Sequence, residues 1–247
     1  MAERIYIFVK QISSQIKMKP IYISVKQIFL LLIIALFTHC TNYTKQTKQE
    51  EIPYDNNLEH IDINSIFDGE TLSGWEITQF GTEGPVSVSD GKIVLGFGDG
   101  CTGITSTIDI PKMNYEITLD ARRTSGNDFF CGMTFPISDS FCSLIVGGWG
   151  GSVVGLSNIN EEDAANNETK VLKTFENNTW YTIRLRVTPK IIEAWIDNEK
   201  LVDYAYKEDE LSIRNEMSLS KPLGICSWKT GAELRNIRLE QLDTKED

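Results

Sequence analysis

Hydrophobic and polar residues alternate with a period of two over most of the chain, and helical periodicity is nearly absent. Tyr115, Ile117, Leu119 and Ala121 fall on one side of an extended segment, and Glu116, Thr118, Asp120 and Arg122 on the other. Ile183, Leu185 and Val187 oppose Thr182, Arg184 and Arg186 in the same way. A strand with one apolar and one polar face is the mark of an antiparallel sheet that is dry on one side and wet on the other. The pattern predicts about a dozen strands. They begin at Trp75–Phe80, Val86–Val88, Lys92–Phe97, Gly103–Ile110 and Tyr115–Arg123. Asp128–Phe135 and Phe141–Val146 follow as a hairpin around Pro136–Asp139. Val153–Ile159, Lys170–Phe175, Trp180–Val187, Ile191–Asp197, Leu201–Tyr206, Leu223–Trp228 and Glu233–Leu242 complete the series. Short helices fit only at Glu208–Asn215 and in the 161–168 loop. So many regularly spaced strands predict an all-β fold: a two-sheet antiparallel jelly-roll sandwich. Trp75, Trp180, Trp195 and Ile237 are expected in its core, where large apolar side chains dominate.

Ahead of the alternation lies a different kind of segment. Ile28–Phe37 is an unbroken apolar run ending just before Cys40. Ten residues are too few to span a bilayer, which needs about 20. They match the apolar stretch of a secretory signal, with Lys19 and Lys26 as its basic flank and Met18 as the natural start. A cysteine directly after such a run is the residue that lipoprotein processing acylates, although His39 is bulky for the position before it. A lipid anchor at Cys40 is therefore expected, with plain secretion or an uncleaved anchor as alternatives. Thr41–Asn57 is polar and aperiodic, as a tether would be. The expected organisation is a signal over 1–40, a linker over 41–61, one sandwich over 62–242 and a tail over 243–247.

Charge narrows the partners. The chain has 24 basic and 35 acidic residues, and residues 1–40 hold five of the former and one of the latter. The remainder carries a net charge of −15, which repels phosphate backbones and excludes nucleic acid as the expected partner. An exported domain facing a neutral ligand fits better, touching membrane only through a lipid anchor.

Histidine is nearly missing. His39 belongs to the signal and His60 precedes the first strand, which argues against Ser-His-Asp catalysis and histidine-based zinc. Cys101, Cys131, Cys142 and Cys226 lie in apolar, strand-like surroundings without C-x-x-C spacing. Export permits disulfides, and four cysteines allow three connectivities. Buried free thiols are at least as consistent, and Cys131–Cys142, flanking the hairpin, is the first pair to test.

Candidate chemistry concentrates in a few places. Leu144–Leu156 sets four glycines around Trp149, leaving the indole with little side-chain cover and able to stack against the C–H face of a sugar; the alternative is a core indole. Ser157–Thr169 is rich in oxygen donors. Asp163 and Glu168 could serve calcium, which takes six to eight oxygens, although a solvated acidic loop is the simpler account. No other cofactor is expected. Asp128, Glu116 and Asp120 are the acid/base candidates, since glycoside hydrolysis commonly uses two carboxylates. Glu116 and Asp120 share a face but lie about 13 Å apart along a strand, so each needs a partner from elsewhere. Arg122 and Arg123 could bind hydroxyls or a carboxylate, or pair with neighbours.

Two bookends carry a resemblance. Ile66–Glu76 reads IFDGETLSGWE and Glu233–Leu239 reads ELRNIRL. This opening and closing resemble the 3-keto-disaccharide hydrolase domain family over roughly residues 62–242. The resemblance implies a concanavalin-like jelly roll and a carbohydrate substrate. Family members act on glycosides whose 3-keto group acidifies the C2 proton, so that the bond breaks by elimination and hydration. Many members carry a histidine near the position that Trp228 occupies here, which sets this chain in a divergent subgroup. Trp228 joins Trp149 and Arg122 as a candidate sugar contact. Two functions are expected from these observations: glycoside cleavage, and glycan binding without cleavage.

Overall fold

The structure is a computed structural model that describes residues 64–243. The expected signal, Cys40 and the polar linker lie outside the described residues. Fourteen strands follow one another among the described residues. They are β1 (Trp75–Ile77), β2 (Val86–Ser89), β3 (Lys92–Leu95), β4 (Cys101–Ser106), β5 (Tyr115–Gly126), β6 (Cys131–Ile137) and β7 (Ser140–Gly148). The rest are β8 (Val153–Ser157), β9 (Val171–Leu172), β10 (Tyr181–Val187), β11 (Ile192–Ile196), β12 (Glu199–Tyr204), β13 (Gly224–Trp228) and β14 (Thr230–Gln241). They form two seven-stranded antiparallel sheets. The first runs β1-β4-β13-β6-β7-β8-β9 and the second β12-β11-β10-β5-β14-β3-β2. This is the jelly-roll sandwich that the alternation predicts. The helical content is two short 3-10 turns, Glu208–Glu210 and Asn215–Ser220; the 161–168 loop has none.

The core lies between the sheets. Tyr115, Ile117, Leu119 and Ala121 of β5 meet Ile183, Leu185 and Val187 of β10 along one register and are fully buried. From the first sheet, Met133, Phe135, Leu144, Val146, Leu156 and Ile225 join the same cluster. Burying one such side chain contributes about 1.5–3 kcal/mol, so the period-two faces hold the layers together. The Tyr115 hydroxyl crosses the core to donate to the Pro136 carbonyl at 2.5 Å. Burial, with smaller effects from Cys142 and Tyr206, pushes the pKa of this phenol well up and keeps it a donor.

The tryptophans divide. Trp75 is buried and its indole N–H donates to the Ile66 carbonyl at 2.7 Å, tying the opening segment to β1. Ile237 is fully buried. Trp180 is half-buried outside the core, contrary to the expectation from sequence; Trp195 is buried as expected, but on the outer side of the second sheet and apart from the inter-sheet cluster. Trp195 alternates with Ala194 and Ile196, so it faces outward, where Arg184 lies 3.9 Å above its ring. Trp180 is half-buried beneath Arg235 and Arg122, at 4.1 and 4.7 Å. Both indoles are covered by cations, which stack favourably on aromatic faces.

The four cysteines among the described residues are free and buried. Cys131 stands opposite Val146, and Cys142 opposite Phe135. The two are thus offset by four positions along the hairpin, about 13 Å, too far for a disulfide. Burial pushes both thiols up to about 12.

Two outcomes are expected. Tyr115→Phe removes the donor and leaves a buried carbonyl unpaired, lowering stability by about 1–3 kcal/mol; an unchanged Tm would show that the bond contributes nothing. Alkylation of the native protein at pH 8 should spare Cys131 and Cys142, and denaturation should open both, as peptide mapping would read.

Candidate functional site

The outward faces of the two sheets differ in kind, and this difference locates the site. On the second sheet the outward face is wet and ionic. Glu116 accepts from Arg186 at 2.9 Å, and Arg186 also reaches Glu193, which holds Lys200. Asp120 accepts from Thr182 at 2.8 Å, Asn236 at 2.8 Å and Arg235 at 3.2 Å. Arg122 pairs with Glu233 at 2.6 Å. These three candidates therefore sit within a cross-strand ladder. Exposed pairs of this kind contribute about 0–1 kcal/mol each.

On the first sheet the outward face of the inner strands is buried as well. Every residue of β4, β6 and β8 is buried. The face is built from small residues so that other parts of the chain can lie on it. A Cβ at Gly132 would come within 2.8 Å of the Phe129 ring, and one at Gly224 within 2.6 Å of Ser220. The 3-10 turn Asn215–Ser220 and Phe129 fill that space.

What they leave open is a cavity of about 240 Å³. Cys101, Ile145 and Met217 form its apolar floor with Phe129, Trp149 and Trp228 line it, and Asp128, Arg214 and Glu216 are its charged groups. Trp149 is 40% exposed, so it is an open indole and not part of the core. Of the sequence candidates, Asp128, Trp149 and Trp228 meet here. Glu116, Asp120 and Arg122 face outward from the other sheet.

Asp128 is held by local chemistry. Its Oδ1 accepts from the backbone N–H groups of Phe129 at 2.8 Å and Trp149 at 3.1 Å. The second bond crosses from the β5–β6 connection to the β7–β8 turn and steadies Trp149, whose φ is +47°. The Asp128 N–H donates to Thr230 Oγ1 at 3.1 Å, and Trp228 N–H donates to the Phe129 carbonyl at 3.1 Å. The loop thus fastens to the end of β13. Beneath it, Arg123 is 6% exposed and donates to the Phe175 carbonyl at 2.6 Å, Asn177 Oδ1 at 2.7 Å and the Asp128 carbonyl at 3.4 Å. Burial pushes its pKa down, with Tyr181, Asp128 and Glu176 opposing. Arg123 is a brace for the loop, with its hydrogen bonds spent on protein oxygens.

Arg214 and Glu216 carry no periodic signal in the sequence, and sequence reasoning missed both. Arg214 donates to Glu216 at 2.9 Å and to Asp163 at 3.0 Å. Its pKa is raised, chiefly by the Glu216 bond, and that of Glu216 is lowered, chiefly by Arg214. Glu216 is therefore anionic at neutral pH. Asp163 also accepts from Ala165 N–H and Asn166, so the acidic loop spends its oxygens on protein donors and anchors Arg214 at the cavity. Glu168, the other possible calcium ligand, is exposed. Among the described residues no group of three or more His, Cys, Asp or Glu side chains is placed to hold a metal ion.

Solved structures with this architecture include the Crh5 transglycosylase. The apo form is 15% identical with a TM-score of 0.50, over 70% of this chain and 81% of that one. The complex with NAG is 15% identical with a TM-score of 0.50, over 71% and 82%. A carbohydrate-binding module, CBM66 from Bacillus subtilis, is 15% identical with a TM-score of 0.48, over 69% and 98%. At such identities the likeness to the transglycosylase speaks to fold alone. No curated protein matches the sequence. The family profile of the 3-keto-alpha-glucoside-1,2-lyase-like domain matches residues 62–240, and the chain belongs to that family.

Proposed function

We propose that the cavity binds a sugar against Trp149 and Trp228 and cleaves a 3-keto glycoside, with Asp128 as the base. The observation that carries this reading is the meeting of one loop-held carboxylate, one arginine–glutamate pair and two indoles in a single cavity. Backbone donors engage Asp128 Oδ1 and leave Oδ2 to take a proton. A 3-keto group acidifies C2–H. Asp128 removes that proton, the C1–O bond breaks, the departing oxygen takes a proton from a water whose hydroxide recovers the proton held by Asp128, and a water then adds across the new double bond. Arg214 is the polariser for the ketone oxygen as negative charge develops there. Glu216, kept ionised by Arg214, orients the guanidinium and does not serve as an acid. The family membership supports the substrate class.

A second reading has its own support: no histidine falls among the described residues, and the cavity floor is apolar. On that reading the domain holds glycan without breaking it. Export and acylation at Cys40 belong to the same proposal; labelled palmitate should enter the chain in a lipoprotein-processing host and be lost in Cys40→Ala.

Incubation of the protein with a 3-keto-glucoside separates the two readings. Released aglycone is expected. Asp128→Asn keeps the Oδ1 acceptor and the loop, and should lower kcat about 100-fold or more. Trp149→Ala should raise KM about 2- to 10-fold, the loss of one stacking contact. No release, with retention on a glycan array, would establish the binding reading instead.

A further inference from the structure

Three sulfur atoms meet at the floor of the cavity. Cys226 Sγ lies 3.9 Å from Cys101 Sγ and 3.4 Å from Met217 Sδ, and Cys101 Sγ lies 4.0 Å from Met217 Sδ. They come from β4, β13 and the 3-10 turn Asn215–Ser220. The point equidistant from all three is about 2.2 Å from each, close to the roughly 2.3 Å of a zinc–sulfur bond. We propose that Cys101, Cys226 and Met217 form a trigonal all-sulfur site for a soft monovalent d10 cation, of which Cu(I) is the physiological example.

The register favours a metal over a disulfide. Cys101 stands opposite Trp228, and Cys226 opposite Gly103. The two cysteines are therefore diagonal neighbours on one face. Diagonal Cα atoms lie about 7–8 Å apart, beyond the usual disulfide range of about 4.4–6.8 Å. A bridging ion spans that gap without moving the backbone. The donor set decides the metal. Zinc takes four ligands in a tetrahedron, whereas two thiols and a thioether are soft donors that select Cu(I). Phe80, Phe129 and Trp228 pack around the trio. Cys101 opens onto the cavity, which provides the entry path. Binding replaces the two S–H protons, which leave to solvent, so two thiolates and one thioether surround one positive charge. The ion would tie β4 and β13 to the turn that carries Glu216, stiffening one cavity wall.

The whole chain, reduced and kept anaerobic, is titrated with Cu(I) against bicinchoninate. One equivalent should be retained, Trp228 emission should fall, and X-ray absorption should give sulfur neighbours at about 2.2 Å. Cys101→Ser and Cys226→Ser should each weaken retention about 100-fold, and Met217→Leu about 10-fold. Cys142→Ala, remote from the trio, should leave retention unchanged. Met217→Leu preserves volume, so it carries the test if a cysteine variant fails to fold. Failure of the wild-type chain to compete with bicinchoninate would overturn the proposal. So would undiminished retention in Cys101→Ser and Met217→Leu, or a Cys101–Cys226 disulfide in the isolated protein.

Discussion

The inner strands of the first sheet must be dry on both faces, and the rest of the structure follows from that constraint. Their inner face meets the second sheet across the core. Their outer face is buried by the chain's own connections: Phe129, the acidic loop after β8 and the turn Asn215–Ser220. Strands buried on both sides cannot alternate apolar with polar. They use glycine, cysteine, threonine and serine outward, because a larger side chain would collide with the covering segments. The polar atoms among them pair with one another, as Thr134 does with Ser143 at 2.9 Å.

A face covered by loops is covered incompletely. The cavity exists where the turn, the β5–β6 connection and the β7–β8 turn fail to meet, and each contributes a different kind of group. Arg214 and Glu216 come from the turn and its entry, Asp128 from the connection, and Trp149 from the β7–β8 turn. None of these positions bears the layers of the sandwich. Arg123, Thr230 and Asp163, which do bond to them, supply the rigidity that loops lack. Function is grafted here on irregular segments positioned by a regular scaffold. The second sheet shows the converse: its outward side is a ladder of ion pairs and cation-covered indoles.

The alternation along the chain determined the all-β class, the strand succession and the inward residues of β5 and β10, because side-chain direction on a strand is set by parity alone. The glycines around Trp149 were legible for the same reason, since they do not fit a core-facing strand position, whereas Asp128 was singled out as a carboxylate at the start of a predicted strand. Parity has a limit, however. It says that Glu116, Asp120 and Arg122 point away from the core and leaves open what lies outside. Size and apolarity, not parity, placed Trp180 and Trp195 among the core residues, since nothing local reveals that Arg122, Arg184 and Arg235 stand ready to cover them.

Only the tertiary structure decided which outward face is capped by loops, and therefore which carboxylate meets an indole. Arg214, Glu216 and Met217 sit on a segment with no period, where sequence carries no direction. The meeting of Cys101 with Cys226 depends on the diagonal register of β4 against β13, across a separation of 125 residues. Register between distant strands is set by how whole sheets pack, and no local pattern contains it.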